Sequence, residues 1–108
     1  MSERALIDAT LIRATAAGCR LFRNNCGQLQ DIRGKWVRYG VCNPGGSDLI
    51  GWAPGGRFLA VEVKAGRTRT TEAQENFIRA VNANGGIAEI IRELKDFDRV
   101  IDRIICTM

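Results

Sequence analysis

The sequence predicts an α/β domain with a central mixed sheet flanked by helices, and three observations predict it. Apolar residues recur at near-helical spacing from Leu6 to Ile12. Two short apolar runs, residues 49–52 and 58–63, flank a Pro-Gly-Gly turn. A capping-box sequence at Thr71 then opens a second helix, which Gly85-Gly86 closes before another apolar run. At 108 residues and 45% hydrophobic, the chain fits one small domain, which buries roughly 60 to 70% of its unfolded surface.

Each element has its own local reason. Ser2 is an N-cap and Gly18 a stop, so residues 3–17 read as an amphipathic helix with Leu6, Ile7, Leu11 and Ile12 as its stripe. Residues 19–25 read as a first strand, and residues 31–39, with Trp36 and Tyr39, as a partly exposed extended or hairpin segment between Gly27 and the chain beyond. Ala53-Pro-Gly-Gly56 joins the next two strands as a hairpin. Phe77, Ile78 and Val81 give the helix from Thr71 to about Asn84 its apolar stripe. Residues 87–91 read as a buried strand, and residues 97–105 as a short helix with a terminal extended piece. There is no repeat, low-complexity tract or linker.

Composition excludes several chemistries. The chain has no histidine, which rules out Ser-His-Asp and Cys-His catalysis, histidine-based metal nucleases and a histidine general base. Cys19, Cys26, Cys42 and Cys106 lack paired spacing, so they read as reduced residues and not as a zinc site. No apolar run approaches the ~20 residues of a membrane span and no signal-peptide pattern opens the chain, so a soluble, intracellular protein is expected.

Charge is unevenly spread. Arg13, Arg20, Arg23, Arg33, Lys35 and Arg38 face only Asp31 between residues 13 and 38, and Arg57, Lys64, Arg67 and Arg69 form a second basic group. Residues 72–103 instead hold seven acids and five bases. Such asymmetry suits a surface that meets phosphates, although a solvated face explains a charge run equally well.

The chemistry concentrates in residues 45–64. In Phe58-Leu-Ala-Val-Glu62-Val-Lys64, alternation puts Glu62 and Lys64 on one strand face. Antiparallel pairing across the Pro54 turn brings Asp48 to Glu62. Two carboxylates with the main-chain carbonyl of Val63 make a hard oxygen site suited to Mg²⁺ or Mn²⁺ and not to zinc. Lys64 is placed to steady a phosphate or the attacking water. Taken singly, Asp48 is also an ordinary turn aspartate, and Glu-x-Lys an ordinary way to blunt an edge strand.

Five segments together resemble the VRR-NUC family of the PD-(D/E)XK nuclease superfamily, with archaeal Holliday-junction resolvases as a more distant likeness. Phe22-Arg-Asn-Asn25 falls where the family has an aromatic-Arg segment. Gly45-Gly-Ser-Asp48-Leu-Ile is similar to its Gly-x-Pro-Asp-Leu-Ile stretch, with Ser47 in place of the namesake proline. Val61-Glu62-Val-Lys64 resembles the Glu-x-Lys strand, Gln74-Glu-Asn-Phe77 the Gln-x-x-Phe segment, and Asn84-Gly-Gly-Ile the Gly-led strand.

The resemblance implies a restriction-endonuclease-like fold across residues 1–108 and metal-dependent hydrolysis of DNA. It makes Asp48, Glu62, Lys64, Gln74 and Glu3 the catalytic set, with Asp48, Glu62, the Val63 carbonyl and, through water, Glu3 holding the metal. Gln74 also suits a capping box by itself, and Glu3 a first helical turn. Arg23, Arg38, Arg67 and Arg69 are the expected DNA contacts. Trp36 and Tyr39 suit stacking on unpaired bases, core burial or a dimer contact. Family likeness further implies a homodimer on branched DNA such as four-way junctions, with a helicase encoded elsewhere as partner and a host-cell cytoplasm if the chain is phage-encoded. The rival reading is a non-catalytic DNA-binding or assembly module that keeps the nuclease scaffold. An RNA-directed nuclease is disfavoured, since such sites use histidine.

Overall fold

The computed structural model describes residues 1–42 and 44–108. Helix α1 (Glu3–Ala16) is followed by strands β1 (Arg20–Arg23), β2 (Gly27–Gln30), β3 (Trp36–Tyr39), β4 (Leu49–Ala53) and β5 (Arg57–Val63), helix α2 (Glu72–Ala83), strand β6 (Ile87–Ile91) and helix α3 (Leu94–Cys106). Four strands form a sheet in the order β1-β4-β5-β6, antiparallel except for the parallel β5–β6 pair, while β2 and β3 pair with each other outside it. The sheet is thus mixed, with helices on both faces.

Strand alternation sorts side chains by parity. Leu49, Leu59, Val61, Val63, Ile87 and Ile91 form one face, and Leu6 and Ile7 of α1 with Phe97, Val100 and Ile104 of α3 close over it. Full burial of side chains this size contributes roughly 1.5–3 kcal/mol each, so this layer dominates stability. Arg13 of α1 grips Asp98 of α3 at 2.7 and 2.9 Å, fixing the two helices side by side.

Helix α1 starts as expected, with Ser2 Oγ accepting from Ala5 N at 3.1 Å, and ends at Gly18, whose φ of +81° suits glycine. Its inner face differs from the expected stripe: Leu6, Ile7, Thr10 and Ala14 are buried, whereas Ile12 is exposed. The small Thr10 and Ala14 let the helix lie close to the sheet. The C-terminal segment is one continuous helix and carries no extended piece. Leu94, Phe97, Val100, Ile101 and Ile104 keep helical spacing throughout, and Asp96 Oδ2 accepts from the backbone of Arg92 and Glu93 to start it.

Residues 31–39 resolve as half of a hairpin whose first strand, Gly27–Gln30, was not expected. Its single apolar residue, Leu29, gives no alternation to read. On the sheet's second face, α2 covers β5 and β6. Asn82 of α2 bonds Ala88 of β6 through both its amide atoms, at 2.9 and 3.0 Å. Arg103 of α3 reaches round the same edge to Glu89 and to Asn82. The outer strand is therefore sealed by side chains, which protects an edge from pairing with another chain.

Candidate functional site

Register brings the two carboxylates together. Leu49 pairs with Val61 across the β4–β5 hairpin, so Asp48, one residue earlier, lies opposite Glu62. The turn that permits this spans Pro54 to Gly56, with Gly55 and Gly56 at positive φ and Gly56 N donating to Ala53 O at 3.0 Å. Asp48 Oδ2 accepts from Val63 N at 2.9 Å, which holds its carboxylate against the Glu62–Val63 peptide.

The approach to Asp48 depends on close backbone contact. Gly45 has φ +85°, and a Cβ there would run into the backbone of Ala73, in the first turn of α2. Only glycine lets the loop lie against that helix, which carries Gln74. Gln74 caps α2 and also touches Glu62. Its Oε1 accepts from Thr71 N at 2.9 Å while Thr71 Oγ1 accepts from Gln74 N, closing the capping box, and its Nε2 donates to Glu62 Oε1 at 3.3 Å.

Glu62 is the most strained group electrostatically. It is 3% exposed, and Lys64 Nζ lies 3.7 Å from its Oε1, whereas the buried Oε2 has no hydrogen-bond partner among the described residues. Burial and the neighbouring Asp48 carboxyl push its pKa up to about 8, against the pull of Lys64 and of the Asp48 backbone. A buried carboxyl kept protonated by burial and a second acid, with one oxygen unused among the described residues, is a group that a bound cation would ionise. The donor set of two carboxylates and a backbone carbonyl at Val63 fits a hard divalent ion.

Glu3 stands apart from this group. It is exposed in the first turn of α1, and among the described residues no third Asp, Glu, His or Cys side chain joins Asp48 and Glu62. The four candidate DNA contacts are all exposed: Arg23 at the end of β1, Arg38 on β3, and Arg67 and Arg69 in the loop after Lys64. Arg92 Nη1 donates to Gly66 O at 2.9 Å and anchors the start of that loop.

Sequence reasoning passed over Asn24. Its side chain accepts from Val41 N at 2.9 Å and donates to Val41 O and Ser47 O at 2.8 and 3.1 Å, while its own N–H donates to Asp48 O at 2.7 Å. One residue thereby joins β1, the exit of the β2–β3 hairpin and the loop that presents Asp48. An Asn just past a strand end was the available signal.

No curated protein and no solved structure matches the chain. Residues 17–93, more than half of it, match the VRR-NUC domain. That span runs from the end of α1 to the residue before α3 and contains the Asp48–Glu62–Lys64–Gln74 cluster, so the chain belongs to the VRR-NUC family of PD-(D/E)XK-like nuclease domains, whose function is the nuclease-type processing of DNA.

Proposed function

We propose that this protein is a Mg²⁺- or Mn²⁺-dependent DNA endonuclease that acts on branched DNA, four-way junctions included. The observation that carries the reading is the buried Glu62 carboxylate, with one oxygen unused, set against Asp48 and Lys64. Asp48, Glu62 and the Val63 carbonyl would hold the metal, and Glu3, which stands apart from them, would reach it only through water. When bound, the ion would supply Lewis acidity toward the scissile phosphate and a more acidic water.

The chain's own groups do the rest. Lys64 follows the last residue of β5 with its side chain 12% exposed, where its ammonium would hold the attacking water or the charge that grows on the phosphate. Gln74 fixes the Glu62 carboxylate by its amide and so keeps the other oxygen free for the ion. Arg23, Arg38, Arg67 and Arg69 bind the DNA backbone.

A homodimer is part of this reading. Phe22 and Trp52 stay exposed, rings 5.7 Å apart, over the β1 and β4 strands that α2 does not cover, and Phe58 is exposed beside α2 on the same face. Two apolar hollows of about 370 and 380 Å³ share Phe58 as a wall. A second copy seated there supplies the second cut that a junction needs. No helix among the described residues is long and apolar enough to cross a membrane, and we place the protein inside the cell, fed with unwound DNA by a helicase encoded elsewhere.

The test is cleavage of a labelled four-way junction beside matched duplex, flap and single-stranded DNA, with Mg²⁺ or Mn²⁺. Paired, symmetric incision that Asp48→Ala and Lys64→Ala each reduce at least about a hundredfold is expected. Cleavage unchanged in both variants would sink the assignment of the site. No metal-dependent turnover on any substrate, with binding intact, would favour the non-catalytic module.

A further inference from the structure

The β2–β3 ribbon is too exposed to be explained by the fold. All four residues of β3 are exposed, and Ile32, at the tip, has its whole side chain in water. A two-stranded ribbon is at best marginally stable by itself, yet this one is ordered by polar ties. Asp31 Oδ1 accepts from Arg33 N at 2.8 Å and Lys35 N at 2.9 Å, and Gly34 N donates to Asp31 O at 3.0 Å. The tip's single acid is thus occupied with backbone, and Arg33, Lys35 and Arg38 enter no ion pair among the described residues.

Register divides the ribbon's two faces. Gln28 pairs with Arg38 and Gln30 with Trp36, so these four side chains share one face, and Leu29 and Val37 share the other. The Gln28–Arg38 face borders a hollow of about 220 Å³ whose far wall is Pro44 and Gly45, the segment that runs on to Asp48. Asn24 ties the ribbon's exit at Val41 to Ser47 and Asp48. A polar, cationic face with one bare indole therefore lies on the side of the loop that carries the candidate metal ligand.

We propose that the β2–β3 ribbon is a DNA-engaging arm in which Trp36 and Ile32 meet unstacked bases, so that it selects branched or gapped DNA over intact duplex. The proposal rests on the nuclease reading for its choice of ligand. Arg33, Lys35 and Arg38 meet phosphates, which any DNA supplies. Trp36, 62% exposed, gains from a π-face that only an unpaired base offers, and base–aromatic stacking changes affinity by roughly 5- to 150-fold per base. Ile32 is placed as an apolar wedge at a step already opened.

The test measures binding of the full-length protein in EDTA, by anisotropy, to a four-way junction, a gapped duplex and a matched intact duplex. Trp36→Ala should lower the branched-to-duplex affinity ratio at least tenfold, and Ile32→Ser should lower it further. In a Trp52→Phe background, where Trp36 is the one indole left, gapped DNA should quench the fluorescence and intact duplex should not. An unchanged ratio, equal loss on all three substrates, or a change of oligomeric mass in Trp36→Ala would overturn the proposal. Because EDTA removes cleavage from the readout, failure of the nuclease reading shows separately, as absent cutting by the unmodified protein with Mg²⁺ or Mn²⁺.

Discussion

Strand β5 and the β2–β3 ribbon are both built from extended chain, but they are held in opposite ways. From Leu59 to Val63 every residue of β5 is buried, with strands on both sides and helices on both faces. The ribbon has one strand on one side and water elsewhere, and its order comes from Asp31 and Asn24. Burial holds the first and hydrogen bonds hold the second. Glu62 thus sits on a strand buried along its length, with Asp48 in the loop opposite it, whereas the ribbon's large exposed side chains lie in a part that can lose them without unfolding.

The sharpest way to break that comparison is in the layer over β5. Phe97→Ala, at a fully buried position of α3, should cost about 3–5 kcal/mol in denaturant unfolding. A loss below about 1 kcal/mol would mean the layer is not what holds the sheet.

A second effect concerns pH. Unfolded, the Glu62 carboxyl ionises near 4.5, whereas in the fold it does so at about 8. Between those values the native protein keeps a proton that the unfolded chain has released, so the stability of metal-free protein falls as pH rises through the window and levels off above it. Thermal unfolding from pH 4.5 to 8.5 should show this slope, and Glu62→Gln should flatten it. A flat profile in the unmodified protein would contradict the buried, acid-paired environment.

Asn24→Ala tests the seam between the two regions. It leaves the Val41 amide without its partner, a loss of about 1–3 kcal/mol. It should also weaken metal-dependent cleavage more than a stability loss of that size explains, since the lost side chain also held the carbonyl of Ser47, the residue before Asp48. Cleavage at the unmodified rate would show that the seam is structural only. Smallest of all, Val37→Ser on the exposed apolar face of the ribbon should change stability by no more than about 0.5 kcal/mol, measured on the same unfolding curve.

Much of the candidate site was legible because strand geometry is simple. Alternation alone set Glu62 and Lys64 on one face, and a Pro-Gly-Gly turn fixed which residue came opposite Glu62. Gln74 was readable twice, as a cap and as a site residue, and the structure supports both contacts. What was not legible had no periodic signature. Gly27–Gln30 shows one apolar residue, the buried stripe of α1 runs through Thr10 and Ala14 in preference to Ile12, and Asn24 acts by side-chain bonds to backbone far along the chain. Glu3 was named by resemblance alone, and it stands exposed and apart from Asp48 and Glu62 because where the start of α1 lies relative to β5 is a tertiary matter that no local pattern encodes.

The hairpin and crossover that carry Asp48, Glu62, Lys64 and Gln74 occupy one unbroken stretch of chain, residues 48–74, whereas the helix pair that locks the far side of the sheet is joined by Arg13 and Asp98, 85 positions apart. Short loops close sooner and at less entropic cost than long ones. The acidic pair is therefore brought together by one local hairpin, and what it costs to hold two acids side by side falls on that hairpin and not on the long-range packing of the helices.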